Sequence, residues 1–323
     1  MAILVGIDEA GYGPILGPLV VSAAVFEIPD DCLNQSLWEE LGSSVCKKVA
    51  GSGGRVAVND SKKLHSKRGK GNALQRGVYS FLAAGGHEPP AVLGELLEAL
   101  DCEHLEYLDQ YPWYKGCWRD LALTYDRDDI GIAANALRND MQQKQIGLKG
   151  LWSHPMPVGE FNRKVGVVRN KATVLFGCVS QFVARAYDQY GQEDRNLQIM
   201  IDKLGGRSHY RPFLQRLFPD LQMKIIKEDP TVSSYQMSST GRSMKLHFLT
   251  GGEDRQLPVA LASMVSKTVR ELFMGMLNAY FEKHCPGILP TAGYYKDGRR
   301  FLGELEGRID PALAPRELLV RDR

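Results

Sequence analysis

The sequence predicts an α/β fold. Two short apolar runs, residues 2–8 and 197–202, each read as a core strand and each end on an acid. Two longer stretches, 171–190 and 259–282, have helical spacing of apolar residues, the second with one apolar face. Strands interleaved with helices indicate an α/β chain.

Taken in order, 2–8 is a strand, and Gly11, Gly13, Pro14, Gly17 and Pro18 make a turn-rich stretch. Residues 19–26 read as a second strand because Val20, Val21 and Val25 favour extended backbone. Strand, glycine turn and strand suggest a hairpin or a bend in one sheet. Residues 51–54 are a loop. Residues 60–76 are polar and basic, with Lys62, Lys63, Lys67, Arg68, Lys70 and Arg76 in one window. A helix follows at 73–82, and the pattern breaks at Gly85-Gly86-His87-Glu88-Pro89-Pro90. Residues 84–161 hold acidic and aromatic pieces and a helix at 132–143, and are expected to form a mostly helical insertion or subdomain of unassigned role. The aromatic group Tyr111, Trp113, Tyr114 and Trp118 is expected to be a local core of that insertion. The main domain would then comprise 1–83 and 162–323. Beyond the helix at 171–190 and the strand at 197–202, a helix is expected at 210–218 and strands at 221–227 and 244–249. The long helix at 259–282 completes the reading.

The chain has 323 residues, 44% hydrophobic and 24% charged, which excludes a fibrous or wholly disordered protein. Its formal net charge of +2 excludes a polycation, so any hold on nucleic acid must come from local patches. No apolar run approaches the roughly 20 residues of a spanning helix, so no membrane partner is expected. The first residues lack the basic start and cleavage site of a signal peptide. The six cysteines form no CxxC pair, so reduced thiols and a cytoplasmic location are expected. A monomer is expected.

The acids at the strand ends carry the first chemical signal. Neighbouring strands would bring Asp8 and Asp202 to one end of a sheet, where α/β proteins usually bind ligands. Glu9 follows Asp8 and can reach the same space. Ser263, Lys267 and Glu271 step by four and would share one helix face. Four carboxylates without a His or Cys cluster suit Mg²⁺ or Mn²⁺ rather than zinc. Two such ions stabilise the attacking and leaving oxygens of an in-line phosphoryl displacement. The plain alternative for Glu271 is a helix ion pair with Lys267.

Gly6-Ile7-Asp8-Glu9-Ala10-Gly11-Tyr12-Gly13-Pro14 resembles the opening motif of the ribonuclease HII (type 2 RNase H) family. Asp60-Ser61-Lys62-Lys63-Leu64 resembles its second motif, residues 262–271 its helical motif, and Gly293-Tyr294 a weaker late one. The resemblance covers about 1–83 and 170–300. It implies an RNase H-like fold, a mixed central sheet flanked by helices. It implies endonucleolytic hydrolysis of the RNA strand of an RNA–DNA hybrid duplex, or of ribonucleotide-containing DNA, with Mg²⁺ or Mn²⁺ and 5′-phosphate products. By that resemblance Asp8, Glu9, Asp202 and Glu271 hold the metal. Gly11, Tyr12 and Gly13 occupy the family's junction-sensing tripeptide, Lys62 and Lys63 its basic contacts, and Tyr294 its sugar-contacting tyrosine. Tyr12 stands where the family has Arg or Lys.

Two other functions fit the same residues. One is a nucleic-acid-binding protein with this fold and little or no turnover. The other is a nuclease of this fold acting on another structured nucleic acid. The segment Lys203, Gly205, Gly206, Arg207, His209 and Arg211 reads as either a phosphate-binding loop or a solvated basic turn.

Overall fold

A computed structural model describes residues 1–49, 51–64, 73–192 and 195–322. Lys67, Arg68 and Lys70 of the basic window lie outside the described residues.

β1 (Ala2–Ala10) runs through the interior of the main sheet. β2 (Leu19–Ile28) returns antiparallel beside it, pairing Ala10 with Val20. Then come α1 (Leu37–Glu40), a small parallel pair β3 (Val45–Cys46) and β4 (Val56–Ala57), α2 (Ser61–Leu64) and α3 (Ala73–Ala84). α4 (Leu93–Ala99) and α5 (Arg127–Gln143) lead to β5 (Gly147–Met156), which pairs with β2. α6 (Val158–Val168) and α7 (Lys171–Tyr190) precede β6 (Asn196–Asp202), which lies parallel to β1 on its other side. After α8 (Arg211–Leu217), β7 (Gln222–Glu228), β8 (Val232–Ser239) and β9 (Arg242–Leu249) form an antiparallel meander, and β9 lies parallel to β6. The chain continues through α9 (Gly252–Arg255), α10 (Leu257–His284), α11 (Tyr295–Leu305) and α12 (Arg316–Leu319). The strand order is β5-β2-β1-β6-β9-β8-β7, a mixed sheet with helices on its faces. This is the α/β architecture that the sequence predicts.

Side chains alternate across a strand, and β1 uses both faces. Ile3, Val5 and Ile7 join the core made with Val179 and Val183 of α7. Ala2 and Leu4 join the core made with Leu261 and Val265 of α10. Gly6 faces the start of α10 so closely that a Cβ there would sit 2.1 Å from the Pro258 carbonyl carbon. Only glycine admits that approach. α10 is buried around most of its circumference, from Leu257 to Phe281, rather than along one face. A helix enclosed in this way is apolar nearly all round.

Residues 147–156 fall inside the stretch that the sequence sets apart as an insertion, yet they are β5 of the main sheet. Tyr111, Trp113, Tyr114 and Trp118 are buried, but not around a separate core. Trp113 packs on Phe281, ring centroids 5.8 Å apart, and Tyr114 stands edge-on to Phe273 at 4.9 Å. These aromatic residues are part of the packing of α10.

Candidate active site

Three parallel strands set the site. β1, β6 and β9 run side by side, so their ends come to one edge of the sheet. Ile7 pairs with Ile201, which places Asp8 and Asp202 in adjacent positions there. Asp202 pairs with Leu249, the last residue of β9. The chain then turns through Gly251, at φ +63°, into α9. The Gly252 amide donates to Asp202 Oδ1 at 2.8 Å. That bond brings Glu253 beside Asp202 in the same recess.

Asp8, Glu9, Asp202 and Glu253 line one recess of about 250 Å³, together with Lys62 and Lys267. Ser263 on α10 lines the recess beside Asp8, and Ser266 Oγ donates to the Asp8 carbonyl at 3.1 Å. Ser263 Oγ also donates to Ser61 Oγ at 3.3 Å, which ties the second sequence motif to the helix.

Burial, then repulsion from Glu9 and Asp202, raises the Asp8 pKa well above the usual carboxylate range. Burial, then Asp202, pushes Glu9 up to about 7. Burial pushes Asp202 up to about 6 against the opposing Gly252 hydrogen bond, with Glu253 adding to the rise. Burial disfavours charge on Lys62, but Asp60, Glu253, Asp8 and Asp202 outweigh it and raise its pKa. One Glu253 oxygen, Oε2, is buried without a hydrogen-bond partner. Crowded, desolvated acids with an orphaned oxygen are short of positive charge. Among the described residues, no three acidic, histidine or cysteine groups form a ready-made cage for an ion. The donor set is nonetheless four carboxylates, the chemistry that hard cations such as Mg²⁺ and Mn²⁺ take.

Glu271 is not brought to this recess. Lys267 Nζ lies 3.4 Å from Glu271 Oε1, and Glu271 lines a different cavity with Leu272, Met276 and Tyr280. The reason is helical geometry. Eight residues beyond Ser263 a helix has advanced about 12 Å and turned about 80° further round. Lys267 still lines the recess, and Glu271 has rotated past it. Glu253, on α9, lines the recess in its stead. A signal for it was present in the sequence, because Thr250-Gly251-Gly252-Glu253 follows the strand 244–249 as acids end the other two strands.

The remaining expected residues divide. Gly11, Tyr12 and Gly13 line the recess. Gly11 has φ +87°, and a Cβ there would meet Arg270 Nε at 2.5 Å. A Cβ on Gly13 would meet nothing within 4 Å. Lys171 Nζ lies 5.3 Å from the Tyr12 ring, so a cation stands beside the neutral tyrosine. Lys62 and the half-exposed Tyr294 also line the recess. Lys63 does not; it pairs with Asp254 on α9. In the basic turn, Lys203 Nζ donates to the carbonyls of Asp229 and Pro230 at 2.9 Å, and His209 pairs with Glu228. Those two groups staple the turn to β7 and the loop after it.

The molecule is similar to ribonucleases HII and HIII of known structure. A chain of the PCNA–ribonuclease HII complex from Archaeoglobus fulgidus aligns over 99% of this chain and 94% of its own, at 14% identity and a TM-score of 0.47. Bst ribonuclease HIII in complex with Mn²⁺ aligns over 99% of this chain and 66% of its own, at 13% identity and a TM-score of 0.46. Ribonuclease H2 from Pyrococcus horikoshii aligns over 92% and 83%, at 14% identity and a TM-score of 0.41. No family model matches the sequence, and no curated protein matches it. Likeness at this level does not say which residues act. Among the described residues, no helix is long and apolar enough to cross a membrane.

Proposed function

We propose that the chain is a metal-dependent nuclease that hydrolyses the RNA strand of RNA–DNA hybrids. The observation that carries the reading is the convergence of Asp8, Glu9, Asp202 and Glu253 at the ends of three parallel strands. The ordered sequence motifs around them support it.

Asp8, Glu9, Asp202 and Glu253 would hold Mg²⁺ or Mn²⁺. Such ions, when bound, supply Lewis-acid stabilisation of the phosphate and lower the pKa of water. The protein groups do the rest. The Gly252 amide fixes the Asp202 carboxylate, and Ser266 Oγ fixes the backbone at Asp8. Lys62 and Lys267 place positive charge on the rim of the recess, where a phosphate backbone would approach. Gly11 lets the turn pack against Arg270 and the Pro18 carbonyl, and backbone groups of the tripeptide would meet the 2′-hydroxyl that separates RNA from DNA. Tyr294 offers an aromatic face beside it.

The test is a substrate panel in Mg²⁺ and in Mn²⁺: a uniform RNA–DNA hybrid, a duplex with one embedded ribonucleotide, and a branched all-DNA duplex. The reading predicts cutting of the hybrid with 5′-phosphate ends, abolished by Asp8→Asn. Cutting of the DNA branch alone would replace it with a different nuclease. Tight metal-independent binding of the hybrid without cleavage would replace it with a binding protein.

A further inference from the structure

Two arginines are buried behind the glycine turn that faces the recess. Arg270, on α10, is 2% exposed and Arg321 is 5% exposed. Among the described residues neither has an ion-pair partner. The donors that find partners go to backbone carbonyls, and Arg270 Nε is buried without one. Arg270 Nη2 donates to Ala292 O at 2.9 Å and Leu16 O at 3.3 Å. Arg321 Nε and Nη2 donate to Gly17 O at 3.0 and 2.6 Å, and its Nη1 donates to Gly11 O.

The segment that carries Arg321 is docked for this task. Val320 bridges to Leu16 in antiparallel fashion, and the Arg321 amide donates to Ile15 O at 2.9 Å. Asn162 of α6 holds the segment from the other side. It donates to Glu317 O and Val320 O at 3.0 and 2.8 Å and accepts from the Asp322 amide at 2.8 Å. The Arg321 guanidinium lies 4.9 Å from the Phe161 ring. Burial, with the nearby Arg270, lowers the Arg321 pKa to about 9.

A buried guanidinium without a carboxylate is costly. Methionine would fill similar space without burying a charge, but it would leave the Gly11 and Gly17 carbonyls without this donor. The two carbonyls span the turn from end to end. The Gly11–Tyr12 peptide is trans, so its N–H points opposite to its C=O. Fixing Gly11 O toward Arg321 therefore aims the Tyr12 amide the other way.

We propose that Arg321 is a positioning residue for the substrate-facing turn, clamping Gly11 and Gly17 so that the Tyr12 amide holds one orientation. This inference rests on the nuclease reading above for its kinetic consequence, but not for the clamp itself. The experiment compares the full chain with Arg321→Met and Arg321→Lys. Hydrogen exchange read by mass spectrometry should rise in Arg321→Met over residues 11–17, while peptides from β1 and β6 stay protected. On the hybrid, kcat should fall about 100-fold with KM moved much less, as for a misplacement of about 1 Å. Arg321→Lys should recover part of both effects, because its ammonium can still bond one carbonyl. Unchanged exchange over 11–17 would overturn the proposal, as would exchange that rises equally throughout the sheet. So would a loss carried by KM alone. If the wild-type chain leaves the hybrid intact, the nuclease reading fails, and exchange at 11–17 by itself upholds or overturns the clamp.

Discussion

The Gly252 amide donates to Asp202 Oδ1 at 2.8 Å and seats Glu253 beside Asp202, two carboxyl groups in one recess. Both line the recess with Asp8 and Glu9, and burial with the neighbouring Glu253 holds the Asp202 carboxyl above its usual range. The pair is the clearest sign that the recess carries more negative charge than it can neutralise from its own lysines.

Glu253→Gln keeps the size of the side chain and removes one carboxylate from the recess. In a chelating buffer at pH 8 the variant should be more stable than the wild type by about 1 kcal/mol. Thermal unfolding checks this, with a rise of roughly 2–4 °C for each kcal/mol in a domain approaching this size. Adding Mg²⁺ should reverse the order, because ions that bind only the folded state raise its stability.

Without divalent ions, stability should fall as pH rises from about 4 to 7, because the acid trend is the larger of two opposing ones. Glu9 and Asp202 have folded pKa values of about 7 and 6, above their unfolded values. The folded state then binds more protons in that window, and this contribution falls as pH rises. His247 runs the other way. Its ring, held by Ser234 Oγ and Gln198 Oε1 at 2.8 Å each, has its pKa lowered to about 4 by burial and then Lys245. Its contribution is fully present above the unfolded value near 6.5 and is lost as pH falls toward 4, by at most about 3 kcal/mol. Glu9→Gln removes part of the acid trend. Urea unfolding without divalent ions should show a smaller fall in stability from pH 4.5 to 6.5 in that variant than in the wild type.

Gly6→Ala tests the seat of α10 on the sheet. The added methyl would sit 2.1 Å from backbone carbon of Pro258, which no side-chain rotation relieves. A loss of about 3 kcal/mol is expected. Urea unfolding measures it, and a loss under 1 kcal/mol would mean that α10 is free to lift from β1.

Much of this arrangement could be read from local pattern. β1, β2, β6 and α10 announce themselves through apolar runs, and Asp8 and Asp202 through their place at the strand ends. What local pattern missed depends on tertiary contacts. β8 is serine-rich and holds its place by pairing on both sides, with β7 and β9. β5 carries two glycines, a histidine and a proline within one strand and owes its position to β2. Stepping by four along α10 suggested that Glu271 joins Ser263 and Lys267, but the accumulated rotation over two steps carries it into another cavity. Arg321 was invisible because its partners lie 304 and 310 positions away.

On the proposed reading, Glu253 and not Glu271 completes the acidic site. The direct measurement is the initial rate of hybrid cleavage in Mn²⁺ for the wild type, Glu253→Gln and Glu271→Gln. The expected result is a loss of about 100-fold or more in Glu253→Gln, as when a group that stabilises developing charge is removed, with Glu271→Gln within about threefold of the wild type. A wild-type rate in Glu253→Gln beside an inactive Glu271→Gln would contradict the account.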